Sequence, residues 1–167
     1  MLSTAVLMAA SMIVGQTERE HIPKEAIAEL GRLVGTWEMT GKEGGENFKA
    51  EYHIEWAEGR CGLLLQCRWF RDSEARGLGM LAWDDSKKGI FQPEAYDDGS
   101  ISRLNYTQFA PDVWAGEAHN TVVGKGEYKA SIKLEFADKD HFSWTATKAS
   151  LNGNPQSDME LKFTRAR

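Results

Sequence analysis

A two-residue alternation of apolar and polar side chains runs through much of the chain and restricts its fold more than any other feature. In residues 48–56, apolar and aromatic side chains alternate with charged and polar ones, and the same rhythm returns in 128–136 and 159–164. Successive side chains of a β-strand point to opposite faces, so this rhythm is typical of antiparallel strands with one face in a core and one in water. The sequence therefore predicts an all-β protein.

Turn-forming residues separate the alternating segments at short intervals. Gly, Asn, Asp and Pro occur in seven short clusters between residues 42 and 155, and they supply the backbone angles that tight hairpins need. The runs between these clusters number about ten, without a long helical crossover. A sheet of that size closes or folds over to protect its edges. We therefore predict one domain over residues 35–167, an antiparallel up-and-down barrel of about ten strands, lipocalin-like (calycin-like) in kind.

The first sixteen residues have a different character. Met1–Gln16 contains no charged side chain, and its apolar run Leu2–Val14 is too short to span a bilayer but fits the core of a signal peptide. No Lys or Arg precedes the run, so an apolar segment packed on the barrel and a wrongly assigned start are the alternatives. The segment predicts an exported protein, periplasmic or extracellular, and a cytoplasmic one if it is not a signal.

Residues 17–34 form a lead-in to the barrel with the clearest helical signal. Pro23 suits a first helical turn, and three apolar residues recur after it at helical spacing: Ala26, Ile27 and Leu30. We expect a short helix that ends at Gly31 and packs against one end of the barrel.

Charge argues against two classes of partner. The net charge is −5, and no run of Lys and Arg occurs, whereas phosphate binding needs a concentrated basic surface. Neither a nucleic acid nor an anionic membrane surface is therefore expected as a partner, and no integral membrane segment is expected once the signal is removed.

The two cysteines do not predict a disulfide. If Cys61 and Cys67 lie on one extended strand, they are roughly 20 Å apart, which is beyond disulfide reach. We expect two buried free thiols, with no zinc or redox site.

Candidate ligand-binding residues form an aromatic group and a polar group. Three tryptophans, Trp56, Trp69 and Trp83, either stack on a flat or apolar ligand or only fill the core. Trp37 is expected to plug one barrel end, and Trp144 to fill core volume. Five polar residues of the middle strands line the interior if their strand face points inward, and otherwise face solvent: Arg68, Arg103, Asn105, Glu117 and His119.

Histidine placement predicts no metal site and leaves one enzymatic alternative open. A metal site needs two or three ligands on one face of adjacent strands, and His53 and His141 are expected at the surface. His119 shares a strand face with Glu117, a combination that can move protons if both side chains point inward. No nucleophile or third orienting group accompanies the pair, so no catalytic residue is assigned.

Short motifs resemble a known family. Gly35-Thr36-Trp37 opens the first strand directly after the helix, as in the calycin group. Four further segments follow in order: Gly77–Asp84, Phe142–Trp144, Asn152–Pro155 and Phe163–Arg165. Together the motifs resemble the bacterial lipocalin-like domain-of-unknown-function family 1579 over roughly 30–165. The resemblance implies a ten-stranded calycin-type barrel and carries over no catalytic residue.

Haem is not expected. Nitrobindin-type haem proteins share the Gly-x-Trp opening, but their haem is bound through a His near the C-terminal end. The last histidine here is His141, and nothing after it ligates iron. We therefore predict no cofactor.

Three hypotheses of function follow. The first is an exported barrel that holds a small, partly apolar ligand in its interior. The second is a structural or interaction protein with a solidly packed core, whose outer face binds another chain. The third is a cavity enzyme that uses Glu117 and His119 as acid and base.

Overall fold

Ten long antiparallel strands form one sheet that closes into a barrel. The computed structural model describes residues 22–167 except 44–45 and 71–73, so the predicted signal segment and the middle of the first turn lie outside the described residues. The strands are β1 Gly35–Glu43, β2 Glu46–Trp56, β3 Leu63–Phe70, β4 Glu74–Asp84, β5 Gly89–Tyr96, β6 Ile101–Ala110, β7 Val113–Val122, β8 Gly126–Phe136, β9 His141–Leu151 and β11 Met159–Arg165, with a two-residue β10 at Asn154–Pro155.

The order of the strands explains the closure. Each strand from β1 to β9 pairs with the next one along the chain, and β11 inserts between β9 and β1. Every pairing is antiparallel, and Trp37 lies opposite Tyr52 on one side and Arg165 on the other. The predicted all-β, up-and-down barrel of about ten strands with a short helix is confirmed.

The alternation of side chains separates the core from the outer surface as predicted. On β2, the side chains of Phe48, Ala50, Tyr52 and Ile54 are all buried, while the residues between them are exposed. The same separation holds along β8 and β11. Burial of apolar area at about 25 cal/mol per Å² makes this inner face the main source of stability.

Helix α1, Lys24–Leu33, covers one end of the barrel, which we call the closed end. Its buried residues are Ala26, Leu30 and Leu33, and Leu30 and Leu33 belong to the barrel core. The expectation that the helix ends at Gly31 is wrong, because the helix continues until Leu33 is buried and Val34 turns into an extended conformation. Among the described residues, no helix has the length and apolar character needed to cross a bilayer.

Arg165 fastens the last strand to this helix. Its guanidinium donates hydrogen bonds to the carbonyl oxygens of Val34 (2.6 Å) and Arg32 (2.9 Å) and lies 4.1 Å from the ring centre of Trp37. The indole of Trp37 is fully buried and donates to the carbonyl of Leu33 at 2.7 Å. Trp37 thus plugs the closed end, as expected.

The cysteines differ from the expectation in one respect. Both are free thiols, but only Cys67 is buried, and Cys61 is exposed. The difference arises because a short 3-10 helix, Glu58–Arg60, precedes Cys61, and β3 begins only at Leu63. Cys61 therefore lies in a surface turn.

Candidate functional site

The barrel encloses a cavity of about 260 Å³. Leu33 of α1 borders it at the closed end. Five half-buried side chains border it towards the opposite end, which carries the hairpins after β5 and β7 and which we call the open end: Trp69, Tyr96, Val122, Tyr128 and Met159. The volume is just below the range of about 300–1,000 Å³ that is typical of ligand pockets. The space suits a molecule smaller than a typical drug.

Most of the cavity surface is aliphatic or aromatic, and its polar side chains lie close together. Residues of three adjacent strands, β5, β6 and β7, supply a patch that we call the polar wall: Gln92, Glu94, Tyr96, Ser102 and Asn120. The Ser102 hydroxyl donates to the side-chain oxygen of Asn120 at 2.9 Å. The cavity therefore has one polar side in an otherwise apolar enclosure.

Glu94 is the charged group of the polar wall and is only 5% exposed. The amide of Gln92 donates to one of its carboxyl oxygens, and the hydroxyl of Tyr96 donates to the other. Burial raises the pKa of Glu94, while these two hydrogen bonds oppose the rise. Among the described residues that line the cavity, none is Lys, Arg or His. The carboxyl group is thus held by neutral donors and faces no cation among the described residues of the cavity lining.

Two glycines on β4 make room for these side chains. Gly79 lies opposite Glu94 in the strand register, and a Cβ atom added there would approach the Cγ of Glu94 to 2.6 Å. Gly77 lies opposite Tyr96, and a Cβ atom there would meet the Sγ of Cys67 at 2.6 Å and the Tyr96 ring at 2.8 Å. Any larger residue at either position would displace the polar wall.

The other titratable groups around Glu94 are neutral at ordinary pH. Burial, together with the nearby Glu94 charge, raises the pKa of Cys67 to about 12. The same two causes raise the pKa of Tyr52 well above its usual value. Burial likewise raises the pKa of Tyr106, although the nearby Trp144 indole partly opposes it.

Two further polar atoms in the interior have spare hydrogen-bonding capacity. Within the described part of the chain, the Tyr106 hydroxyl and the Trp144 indole nitrogen are buried without a hydrogen bond of normal geometry. Both residues line the cavity. A buried donor without a partner costs free energy, so a ligand or water that reaches these atoms gains affinity from them.

The predicted tryptophans take different places. Trp69 lines the cavity, while Trp56 and Trp83 pack against other parts of the core. Trp83 donates from its indole to Asp85 at 3.4 Å. Of the two roles left open for these tryptophans, Trp56 and Trp83 take the core-filling one, so their predicted place in a ligand site is wrong. Trp144, expected only to fill the core, lines the cavity instead.

Three of the polar candidates lie on the outer face. Arg68 is half exposed and pairs with Glu74 at 3.2 Å, Arg103 is exposed, and Asn105 accepts a hydrogen bond from the exposed Lys87 at 3.0 Å. Of the two placements left open for them, they take the solvent-facing one, so the prediction that they belong to a ligand site is wrong. Each of them alternates with buried neighbours, so strand geometry turns it outward.

Glu117 and His119 also lie outside the barrel. The Nε2 atom of His119 lies 3.6 Å from a carboxylate oxygen of Glu117, and 50% and 74% of the two side chains are exposed. Their neighbour Ala118 is fully buried and occupies the inner face. The cavity-enzyme alternative required both side chains to point inward, and this placement is wrong. No cluster of three or more His, Cys, Asp and Glu residues suited to a metal occurs in the part of the chain that the structure describes.

The polar wall was not predicted from the sequence, although β5 carries a signal for it. Ile90, Gln92, Glu94 and Tyr96 occupy alternate positions and therefore share one face. Because Ile90 belongs in the core, the two polar residues after it belong there too. On β6, the same parity argument with Leu104 places Ser102 inside.

Comparisons with known proteins add little to this geometry. No family model and no curated protein matches the chain. A redesigned β-barrel of known structure is similar, with 16% sequence identity, a TM-score of 0.49, and coverage of 83% of this chain and 95% of that one. The resemblance to lipocalin-like family 1579 stays a prediction.

Proposed function

We propose that this protein is a binding module that holds a small, largely apolar molecule inside its barrel. The observation that carries the proposal is the cavity of about 260 Å³, lined mainly by aliphatic and aromatic side chains with one polar wall. Small-molecule sites are mostly apolar cavities with a few converging polar groups that fix orientation. A solidly packed barrel, the structural alternative, would not enclose such a space.

Burial of the ligand would supply most of the affinity. Each methylene group removed from water contributes about 0.8 kcal/mol, which is roughly a fourfold gain in affinity. The polar wall would orient the molecule, and the half-buried side chains at the open end, such as Trp69 and Tyr128, would border its entry.

A homologous series of straight-chain alcohols tests the proposal by isothermal titration calorimetry. Affinity should rise about fourfold with each added methylene and level off once the chain fills the cavity. A flat response across the series would refute an interior site that binds by apolar burial.

A matched pair of variants locates the binding. Leu104→Trp fills the cavity from the inner face, while Arg103→Trp adds the same ring to the outer face one residue away. We expect the first variant to lose alcohol binding and the second to keep it, with both folded by circular dichroism. Loss in both variants, or in neither, would place binding elsewhere.

Export is proposed separately, on the support of the apolar run Leu2–Val14. The full chain, expressed in a bacterial host, should yield a periplasmic or secreted form that is shorter at its N-terminus by about sixteen residues, as signal cleavage requires. The test is intact mass spectrometry of each cell fraction, and an uncleaved chain confined to the cytoplasm would contradict export.

A further inference from the structure

We propose that the ligand is a small apolar amine whose ammonium group pairs with the buried carboxylate of Glu94. This inference rests on the proposed function, because it names the chemical class of molecule that the same cavity takes. Its support comes from the burial of Glu94, from the arrangement of the donors around it, and from the charge of the side chains that line the cavity.

Burial makes a lone carboxylate at this position costly. Glu94 is 5% exposed and shares the cavity with apolar side chains such as Leu65 and Leu134. A buried charge persists when an opposite charge or several hydrogen bonds compensate it. The described residues that line the cavity include no Lys, Arg or His. Of these two kinds of compensation the protein therefore supplies only the hydrogen bonds, and the ammonium group of a ligand would supply the opposite charge.

The donors around Glu94 leave acceptor sites for such a ligand. Gln92 donates to one carboxyl oxygen and Tyr96 to the other. An ionised carboxylate has about four acceptor sites, so each oxygen keeps capacity for a further donor. An ammonium group offers donors only, and it matches a group that offers acceptors only.

The rest of the cavity selects against other head groups. An anionic ligand would bring a like charge to Glu94 and would find no basic side chain among the described lining residues. A neutral alcohol can donate to Glu94 but does not neutralise it. The apolar surface beyond the polar wall, which includes Leu161 and Phe163, accommodates the hydrocarbon part of an amine.

Lower pH should weaken amine binding through Glu94 alone. The titratable groups that face it are Tyr52 from β2, Cys67 from β3, Tyr96 from β5 and Tyr106 from β6. Burial keeps all four neutral from acidic to neutral pH, because it raises the pKa of each. Below the raised pKa of Glu94, an amine must displace a proton from the carboxyl group, so its affinity falls.

Three probes of equal chain length separate charge from apolar burial. Octylamine, octanol and octanoate are titrated by calorimetry into the full-length protein, the Glu94→Gln variant and, as a control, Glu117→Gln on the outer face. We expect octylamine to bind the unaltered protein most tightly. Glu94→Gln should weaken octylamine by about 30-fold or more, in line with removal of one partner of a buried charge pair. It should leave octanol within about threefold, since truncation of the charge does not alter apolar burial.

The outcomes distinguish the inference from the function on which it rests. If none of the three probes binds, the proposed function itself fails. If octanol or octanoate binds as tightly as octylamine, or if Glu94→Gln keeps the preference for octylamine, the cavity binds ligands but the amine proposal is wrong. A loss of octylamine binding in Glu117→Gln would also overturn it.

A second variant keeps the test decisive if Glu94→Gln does not fold. Tyr96→Phe removes one donor from the carboxylate and retains the ring. We expect it to weaken octylamine more than octanol. Equal effects on the two probes would overturn the amine proposal.

Discussion

Loss of the Arg165 guanidinium should destabilise the barrel far more than loss of an ordinary surface charge. Arg165→Ala removes hydrogen bonds to the carbonyls of Val34 (2.6 Å) and Arg32 (2.9 Å), both part-buried. Each contributes about 1.5 kcal/mol, the low end for hydrogen bonds to charged groups. The contact with the Trp37 ring, 4.1 Å away, contributes about 1 kcal/mol.

These contributions predict a loss of about 3–5 kcal/mol in the free energy of unfolding. Arg165 also contacts Lys139 and Asp140, but these contacts are exposed. They are left out of the sum because exposed contacts of this kind contribute little to the free energy of unfolding. Arg165→Lys keeps the charge but not the planar fork, so it should cost about half as much.

Urea unfolding, followed by tryptophan fluorescence and far-ultraviolet circular dichroism, measures these losses. Arg103→Ala, an exposed arginine on the outer face, is the control and should change stability by no more than about 0.5 kcal/mol. A loss below about 1 kcal/mol for Arg165→Ala would refute the reasoning, since the side chain would then act as a surface ion pair.

Further predictions concern the polar wall and the thiols. Gly79→Ala should lower the free energy of unfolding in urea by about 1–3 kcal/mol, the usual penalty of overpacking, because its Cβ would lie 2.6 Å from the Cγ of Glu94. Gly31→Ala should instead raise the free energy of unfolding by about 0.5–1 kcal/mol, because Gly31 is helical and an added Cβ there would make only an ordinary contact at 3.7 Å. In the unaltered protein, the free energy of unfolding should fall as pH rises from the usual glutamate pKa through the raised one, because the folded protein keeps a proton on Glu94 that the unfolded chain releases. Glu94→Gln should abolish this fall. Unfolding free energies across that pH window test this, and parallel curves for the two proteins would contradict it. A thiol reagent should label only Cys61 in the native protein and both cysteines in denaturant, since Cys67 is buried with its pKa raised to about 12; rapid native labelling of both would contradict the structure.

The barrel could be predicted because, in its most regular strands, the apolar residues mark the inner face. Along β2, every second residue is apolar, and those residues form the core. The polar candidates were misplaced because the middle strands carry polar residues on both faces, and the decision then depends on parity with a core neighbour. Arg103 and Asn105 alternate with the buried Leu104, which turns them outward.

The cavity itself was less accessible to prediction. Its polar wall has room because Gly79 on β4 lies opposite Glu94 on the neighbouring strand β5. This pairing depends on a strand register that hydrophobic periodicity alone does not fix. The free volume is likewise a sum over side chains from every part of the barrel. A pattern read along one strand contains no such information.

The cover that helix α1 and Trp37 form over one end has a kinetic consequence. In the function proposed above, a ligand would enter and leave at the end opposite this cover, so a bound molecule would block the path of the next one. Exchange would then require dissociation before the next molecule binds, and an excess of competing ligand would not accelerate it. In stopped-flow experiments, the ligand should therefore dissociate at the same rate into buffer and into a concentrated solution of a competing ligand.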